Sequence, residues 1–237
     1  MPRVSPSQIV LQSEREYLDN DLSSVLLQDF KPSELSLAVL QNVCAWIGSQ
    51  HAALVGGDLT AEYARQKGGD PEASSRDRDI HVNIMDTAAG TELGEQSHRK
   101  QVINGIADDI RSRGGKWVSD LKVNFKGRAG YGIASISFYI RDHKVDLSIT
   151  DDVVSAETRA MYGDAIVKSI AANREGKVYA HPYFEEDMQA GEYTIRVKLG
   201  TKDHERAVGR YEKRVSHLRN FELVEGDAYA EQLTAEA

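Results

Sequence analysis

Leu54-Val55-Gly56-Gly57 and Asp77-Arg78-Asp79-Ile80-His81-Val82-Asn83-Ile84 are the two stretches on which the reading of this chain turns. In the second, Ile80, Val82 and Ile84 alternate with Asp79, His81 and Asn83, the period of a half-buried strand. Asp77 and Asp79 are two apart, so a strand sends both carboxylates to one face. The first stretch closes a short apolar run, 52–55, and precedes a helical pattern over 59–66, which together predict strand, glycine turn and helix. Glycines at that turn let the backbone approach a phosphate, and the free N–H groups of the helix start point at it. The segment 67–75, rich in Gly, Asp and Ser with one Pro, reads as the loop between them.

Working outward, a third carboxylate, Asp146, lies in Val145-Asp146-Leu147-Ser148-Ile149, where the apolar residues take one face and Asp146 shares the other with Lys144 and Ser148. Strands are expected near 116–125, 133–140 and 144–149, the last two joined by a tight hairpin at Arg141-Asp142-His143. Upstream, a helix is expected from about Gln8 to a break at Lys31-Pro32, then a second helix opened by Ser33 as N-cap, with Leu37, Leu40, Val43, Cys44 and Ile47 at helical spacing. Further helices are expected over 95–113, 155–172 and 202–219, with an extended stretch around His181-Pro182. These elements predict an α+β fold with a mixed, largely antiparallel sheet. The expected division is an N-terminal helical arm (1–50), a head (51–154), a helical neck (155–221) and an acidic, solvated, disordered tail (222–237).

Composition narrows the classes. Hydrophobic residues make up 41% and charged residues 28% of 237, an ordinary globular usage. No apolar run approaches the length of a membrane span, and the mixed start lacks a signal-peptide core, so a cytoplasmic protein with no membrane contact is expected. Cys44 is the single cysteine, which rules out an internal disulfide and a Cys-based zinc cage. The net charge of −8 argues against a surface built wholly for nucleic acid. Within 196–219, however, bases outnumber acids eight to three. Lys202, Arg206, Arg210 and Arg214 recur every fourth position there, either as a solvated helix face or as a surface for triphosphate and RNA backbone.

Asp77, Asp79 and Asp146 on one face would bind Mg²⁺ (or Mn²⁺) through oxygen, the cations bridging a triphosphate. The plainer alternative for Arg76-Asp77-Arg78-Asp79 is a self-neutralising surface run. Taken in order, Leu54-Val55-Gly56-Gly57, Asp77-Arg78-Asp79-Ile80 and Val145-Asp146-Leu147 resemble the head-domain signature of the DNA polymerase β nucleotidyltransferases. The stretch from Asp164 to Ala171 is similar to the one that helps seat the ribose in poly(A) polymerases and CCA-adding enzymes. Glu186-Asp187-Met188 and Ile195-Arg196-Val197 resemble the next piece, and Asp203-His204-Glu205-Arg206 resembles the acid and arginine motif facing the NTP base.

The resemblance implies Asp77, Asp79 and Asp146 as catalytic metal ligands and Gly56, Gly57, Lys168, Asp203 and Arg206 as the nucleotide site. Arg210 and Arg214 fall to an RNA acceptor. The implied activity is template-independent transfer of a nucleotide from an NTP to an RNA 3′ end. A toxin-type or small-molecule nucleotidyltransferase shares the signature, and a degenerate nucleotide-binding or protein-interaction module stands as the non-enzymatic alternative. Three departures from the family pattern stand out. Arg78 replaces an apolar residue between the acids, Asp58 follows the glycines where an arginine is expected, and Lys168 replaces Asn. An alternative register pairs Asp79 with His81 in place of Asp77.

Overall fold

The computed structural model describes residues 17–67, 70–75, 77–93, 99–125, 133–213 and 218–235. In chain order its elements begin with β1 (Val25–Leu26), α1 (Glu34–Ile47), β2 (Ala53–Val55), α2 (Gly57–Gln66), β3 (Asp77–Asn83), α3 (Ala88–Leu93) and α4 (Arg99–Gly114). There follow β4 (Val118–Phe125), β5 (Ala134–Ile140), β6 (His143–Thr150), α5 (Ala156–Ala160), β7 (Ile170–Ala172), β8 (Val178–Ala180) and α6 (Phe184–Ala190). The chain ends with β9 (Glu192–Thr194), α7 (Lys202–Glu212), β10 (Glu222–Val224) and α8 (Gly226–Ala235).

Eight strands form one sheet in the order β1-β8-β7-β2-β3-β6-β5-β4. Only β3 and β6 run parallel; every other neighbouring pair is antiparallel. The fold is therefore α+β with a mixed, mostly antiparallel sheet. Alternation decides its two faces. Ile80, Val82, Ile136, Phe138, Val145, Leu147 and Ile149 are fully buried on one face, packed with the apolar side of α1 (Val39, Leu40, Val43, Ile47) and of α4 (Val102, Ile103, Ile106, Ile110). Each such side chain contributes about 1.5–3 kcal/mol relative to exposure. Ser33 caps α1 by accepting the Ser36 N–H, and the helix ends at Gly48 in the left-handed region, φ 71°. The opposite face is covered over β2, β7 and β8 by α5, through Ala156 and Ala160 against Val55, Ala171 and Tyr179. Over β3, β6, β5 and β4 it carries polar side chains, and this is where the acids stand.

Several expected elements differ. Residues 1–16 lie outside the described residues, and from Tyr17 to Ser33 the chain is not helical: Tyr17 bridges Val197, residues 18–21 turn, and β1 pairs with β8. Tertiary bonding overrides local helical pattern here, because Asp19 is buried by Arg196, His181 and Tyr229. The helix expected over 155–172 is instead α5, a 3₁₀ turn over Ile166–Lys168, and β7. Gly163 presses on Ser169, whose hydroxyl oxygen would lie 2.3 Å from any β-carbon placed there, and β7 is paired on both sides, by β2 and β8. In the 202–219 region the helix ends at Glu212, and 214–217 lie outside the described residues. The segment from Glu222, expected as a solvated tail, forms β10 beside β9 and then α8, with Tyr229 only 1% exposed.

Candidate active site

Register builds the site. In the parallel pair, Asp77 lies opposite Lys144, Asp79 opposite Asp146 and His81 opposite Ser148. Across β5, Asp146 faces Ser137 and Lys144 faces Tyr139; on the other side Asp79 faces Val55, the last residue before the glycines. All three predicted acids and His81 thus share the open face. Asp79 meets Asp146 directly, Asp77 is one row to one side and His81 one row to the other.

Lys144 organises the acids. Its ammonium donates to Asp77 Oδ2 at 2.9 Å and to Asp146 Oδ2 at 2.6 Å, and the Ser137 hydroxyl donates to Asp146 Oδ1. Those two carboxylates hold the Lys144 pKa above its ordinary value. Asp79 is exposed on the open face of the sheet, between the strands of Val55 and Asp146. The surrounding protein, which lowers its solvation, then the charges of Asp146 and Asp77, pushes its carboxyl up to about 6. Hard oxygen donors on one face suit Mg²⁺ chemically. Among the described residues, however, no three acid, imidazole or thiol groups converge closely enough to hold an ion as they stand, and Lys144 bridges two of the three acids.

The glycine turn forms the adjoining wall. Gly56 has φ 71° and ψ −129°, a conformation that disfavours any other residue, and the Thr60 hydroxyl, one turn into α2, donates to the Val167 carbonyl at 2.7 Å. That contact sets the 3₁₀ turn against the helix start and carries Lys168 over it. The Lys168 Nζ lies 3.7 Å, and Ser75 Oγ 3.6 Å, from the point a β-carbon on Gly57 would occupy. Removal from water pulls the Lys168 ammonium down to about 8, against the upward pull of Asp164 and Asp79. A cation beside a glycine turn at a helix start has the chemistry that an anion would require.

The two departures Arg78 and Asp58 are a single feature. Arg78 points to the helix-covered face, where its Nε lies 3.5 Å from Asp58 Oδ2 and 3.3 Å from Ser36 Oγ. Ser36 Oγ is 2.6 Å from both Asp58 and Glu62, and Glu62 accepts from the Ser33 backbone N–H at 2.6 Å. The residue after the glycines is thereby tied to the residue between the acids. In the neck, Arg206 pairs with Asp203 along α7 at 3.0 Å, and Arg210 pairs with Asp164. Asp164 is 2% exposed and its Oδ1 has no hydrogen-bond partner among the described residues. Arg214 lies outside the described residues. Alternation alone puts Lys144 on the acid face without giving it a role, and Ser137, the Asp58–Arg78 pair and the side chain of Asp164 emerge only from the structure. Ser137's alternation with Ile136 and Phe138 was the available signal.

No family model and no curated sequence matches the chain. Among solved structures, one described as a tRNA-processing enzyme in an apo form superposes with a TM-score of 0.52 at 14% identity, covering 87% of this chain and 48% of that one. The likeness is one of fold, and this chain spans about half the length of that structure. No helix among the described residues is long and apolar enough to cross a membrane.

Proposed function

We propose that this protein is a metal-dependent nucleotidyltransferase of the DNA polymerase β type, which transfers a nucleotide from an NTP to an RNA 3′ hydroxyl. The observation that carries the reading is the row Val55-Gly56-Gly57, Asp79, Asp146: a phosphate-approachable turn with a cation over it, beside two carboxylates in direct register. Asp79 and Asp146, with Asp77, would hold Mg²⁺ or Mn²⁺, which supplies charge neutralisation on the phosphates and lowers the pKa of the attacking hydroxyl. The chain's own groups do the positioning. The Gly56-Gly57 backbone and Lys168 seat the triphosphate, and the Ser137 hydroxyl fixes the Asp146 rotamer. Asp79, in register with Asp146, would lie beside the acceptor oxygen as that oxygen displaces pyrophosphate from the α-phosphorus. No covalent intermediate is required.

RNA is the preferred acceptor because the structural neighbour acts in tRNA processing and because bases predominate over 196–219. The ion pair of Arg210 with Asp164 supports a role for Arg210 within the fold and leaves an RNA backbone contact to other bases of this segment. The bridging of two acids by Lys144 favours, as second reading, a nucleotide-binding module without turnover. Incubation with each α-labelled NTP, Mg²⁺ or Mn²⁺, and either total RNA or total protein tests the proposal. The expected result is label in RNA that requires Asp79. Label only in protein or in a small product would replace the acceptor, and nucleotide binding with no product would establish the second reading.

A further inference from the structure

We propose that Lys144 is a resident counter-cation of the acid cluster, competing with the divalent ion and leaving Asp77 and Asp146 when that ion binds. The inference rests on the metal-dependent reading above and deepens it. Three carboxylates brought to one patch of sheet repel one another, and without a cation the folded protein would carry that repulsion permanently. Lys144 answers it from within the same strand: two residues before Asp146, it shares its face, and the parallel register sets it opposite Asp77. One ammonium therefore reaches both acids, at 2.9 and 2.6 Å. With Lys144 on two of the acids, no three acid, imidazole or thiol groups among the described residues converge closely enough to hold an ion.

The ammonium is free to leave. Its side chain is 32% exposed, with Asp77 at 40% and Asp146 at 24%, so water can take over its hydrogen bonds, and the flexible stem of lysine lets the charge move without shifting β6. It cannot stay. A divalent ion bound by the same oxygens within about 4 Å of an ammonium would be repelled by it at least as strongly as two unit charges are at that distance. Ion entry and Lys144 departure are thus two sides of one exchange. In the ion-free protein Lys144 offsets the repulsion between Asp77 and Asp146, and in the ion-bound protein all three acids are available with a mobile cation beside them.

The test is Mn²⁺ binding by calorimetry, with melting curves, on the whole chain as wild type, Lys144→Met, Lys144→Gln and Asp79→Asn. Removing the competitor should tighten Mn²⁺ binding about tenfold in both Lys144 variants, lower the melting point without ion, and enlarge the gain on adding it. Equal or weaker binding in both variants overturns the inference while leaving the metal site standing. Absence of binding in wild type and in both Lys144 variants overturns the metal reading itself, and this inference with it. On the unaltered protein, amine acylation followed by mass spectrometry gives an independent readout. Lys144 should react slowly without ion and several-fold faster with saturating Mg²⁺; a rate indifferent to Mg²⁺ that is bound contradicts the exchange.

Discussion

Replacing Arg78 by methionine restores an apolar residue between the two acids and should nevertheless damage the protein. The side chains of Arg78 and Asp58 are 10% and 5% exposed, so the substitution leaves a carboxylate buried without its cation. Removing one partner of such a pair costs about 3–5 kcal/mol. The 3.5 Å separation and the support that Asp58 keeps from Ser36 place the expected loss near the lower figure, about 3 kcal/mol. For a domain of this size that is roughly 6–12 °C in Tm. The loss depends on pH in a definite direction. Burial already raises the Asp58 pKa, with the Arg78 charge opposing, so without Arg78 the folded carboxyl takes up a proton more readily. The variant's deficit should shrink as pH falls from 8 to 5. Urea denaturation across that range, in a cycle with Asp58→Asn and the double variant, measures it: the double variant should be more stable than Arg78→Met alone. Transfer activity should fall, because the pair ties the glycine turn to the acid strand. A deficit under about 1 kcal/mol, independent of pH and additive in the cycle, would refute the reasoning.

Asp79→Asn should abolish transfer and leave Tm unchanged or slightly higher at neutral pH, because its charge is disfavoured in the fold; a large fall in Tm measured by calorimetry would count against this. Asp146→Asn should lower Tm modestly, since Asp146 is held by Lys144 and Ser137, and an unchanged melting curve would contradict those contacts. With the Asp79 carboxyl pushed up to about 6, the folded state holds a proton that the unfolded chain has already lost. This group's contribution to stability therefore declines between about pH 4 and 6 and is level above, while divalent-ion affinity rises through pH 6. Titrations of wild type and Asp79→Asn should show that rise only in wild type. Tyr229→Phe removes a buried O–H donor to Asp19 and should cost about 1.5–3 kcal/mol; a neutral result by urea denaturation would mean that the C-terminal segment is not docked in solution.

What was legible in the sequence followed period and punctuation. The strands β3 and β6 announced themselves through alternation against a fully buried face, and Gly56-Gly57 marked the turn because Gly56 requires a positive φ. That Asp77 and Asp79 share a face followed from their spacing, while Asp146 joins them only through the parallel register of β3 and β6. What escaped has a common cause in contacts distant along the chain. Ile170-Ala171-Ala172 is three residues long and buried throughout, so it offers no alternation to distinguish a central strand from the helix expected there. Arg78 and Asp58 looked like two unrelated departures because nothing in either stretch signals a partner 20 positions away. Lys144 was visible on the acid face, but its bridge to Asp77 depends on a parallel register across 67 residues. Tyr229 sits in an acidic segment whose composition suggests solvent, and only its fit against Asp19, His181 and Tyr183 brings that segment into the body.

Nucleotidyl transfer at Asp79 and Asp146 is tested most directly by where a label ends up. Purified tRNA is incubated with the protein, Mg²⁺ or Mn²⁺, and each NTP labelled at either the α- or the γ-phosphate. The account predicts label on the RNA 3′ end from α-labelled NTP only, labelled pyrophosphate from γ-labelled NTP, and neither with Asp79→Asn. Label delivered from the γ-phosphate, or α-label transfer that survives Asp79→Asn, would contradict it.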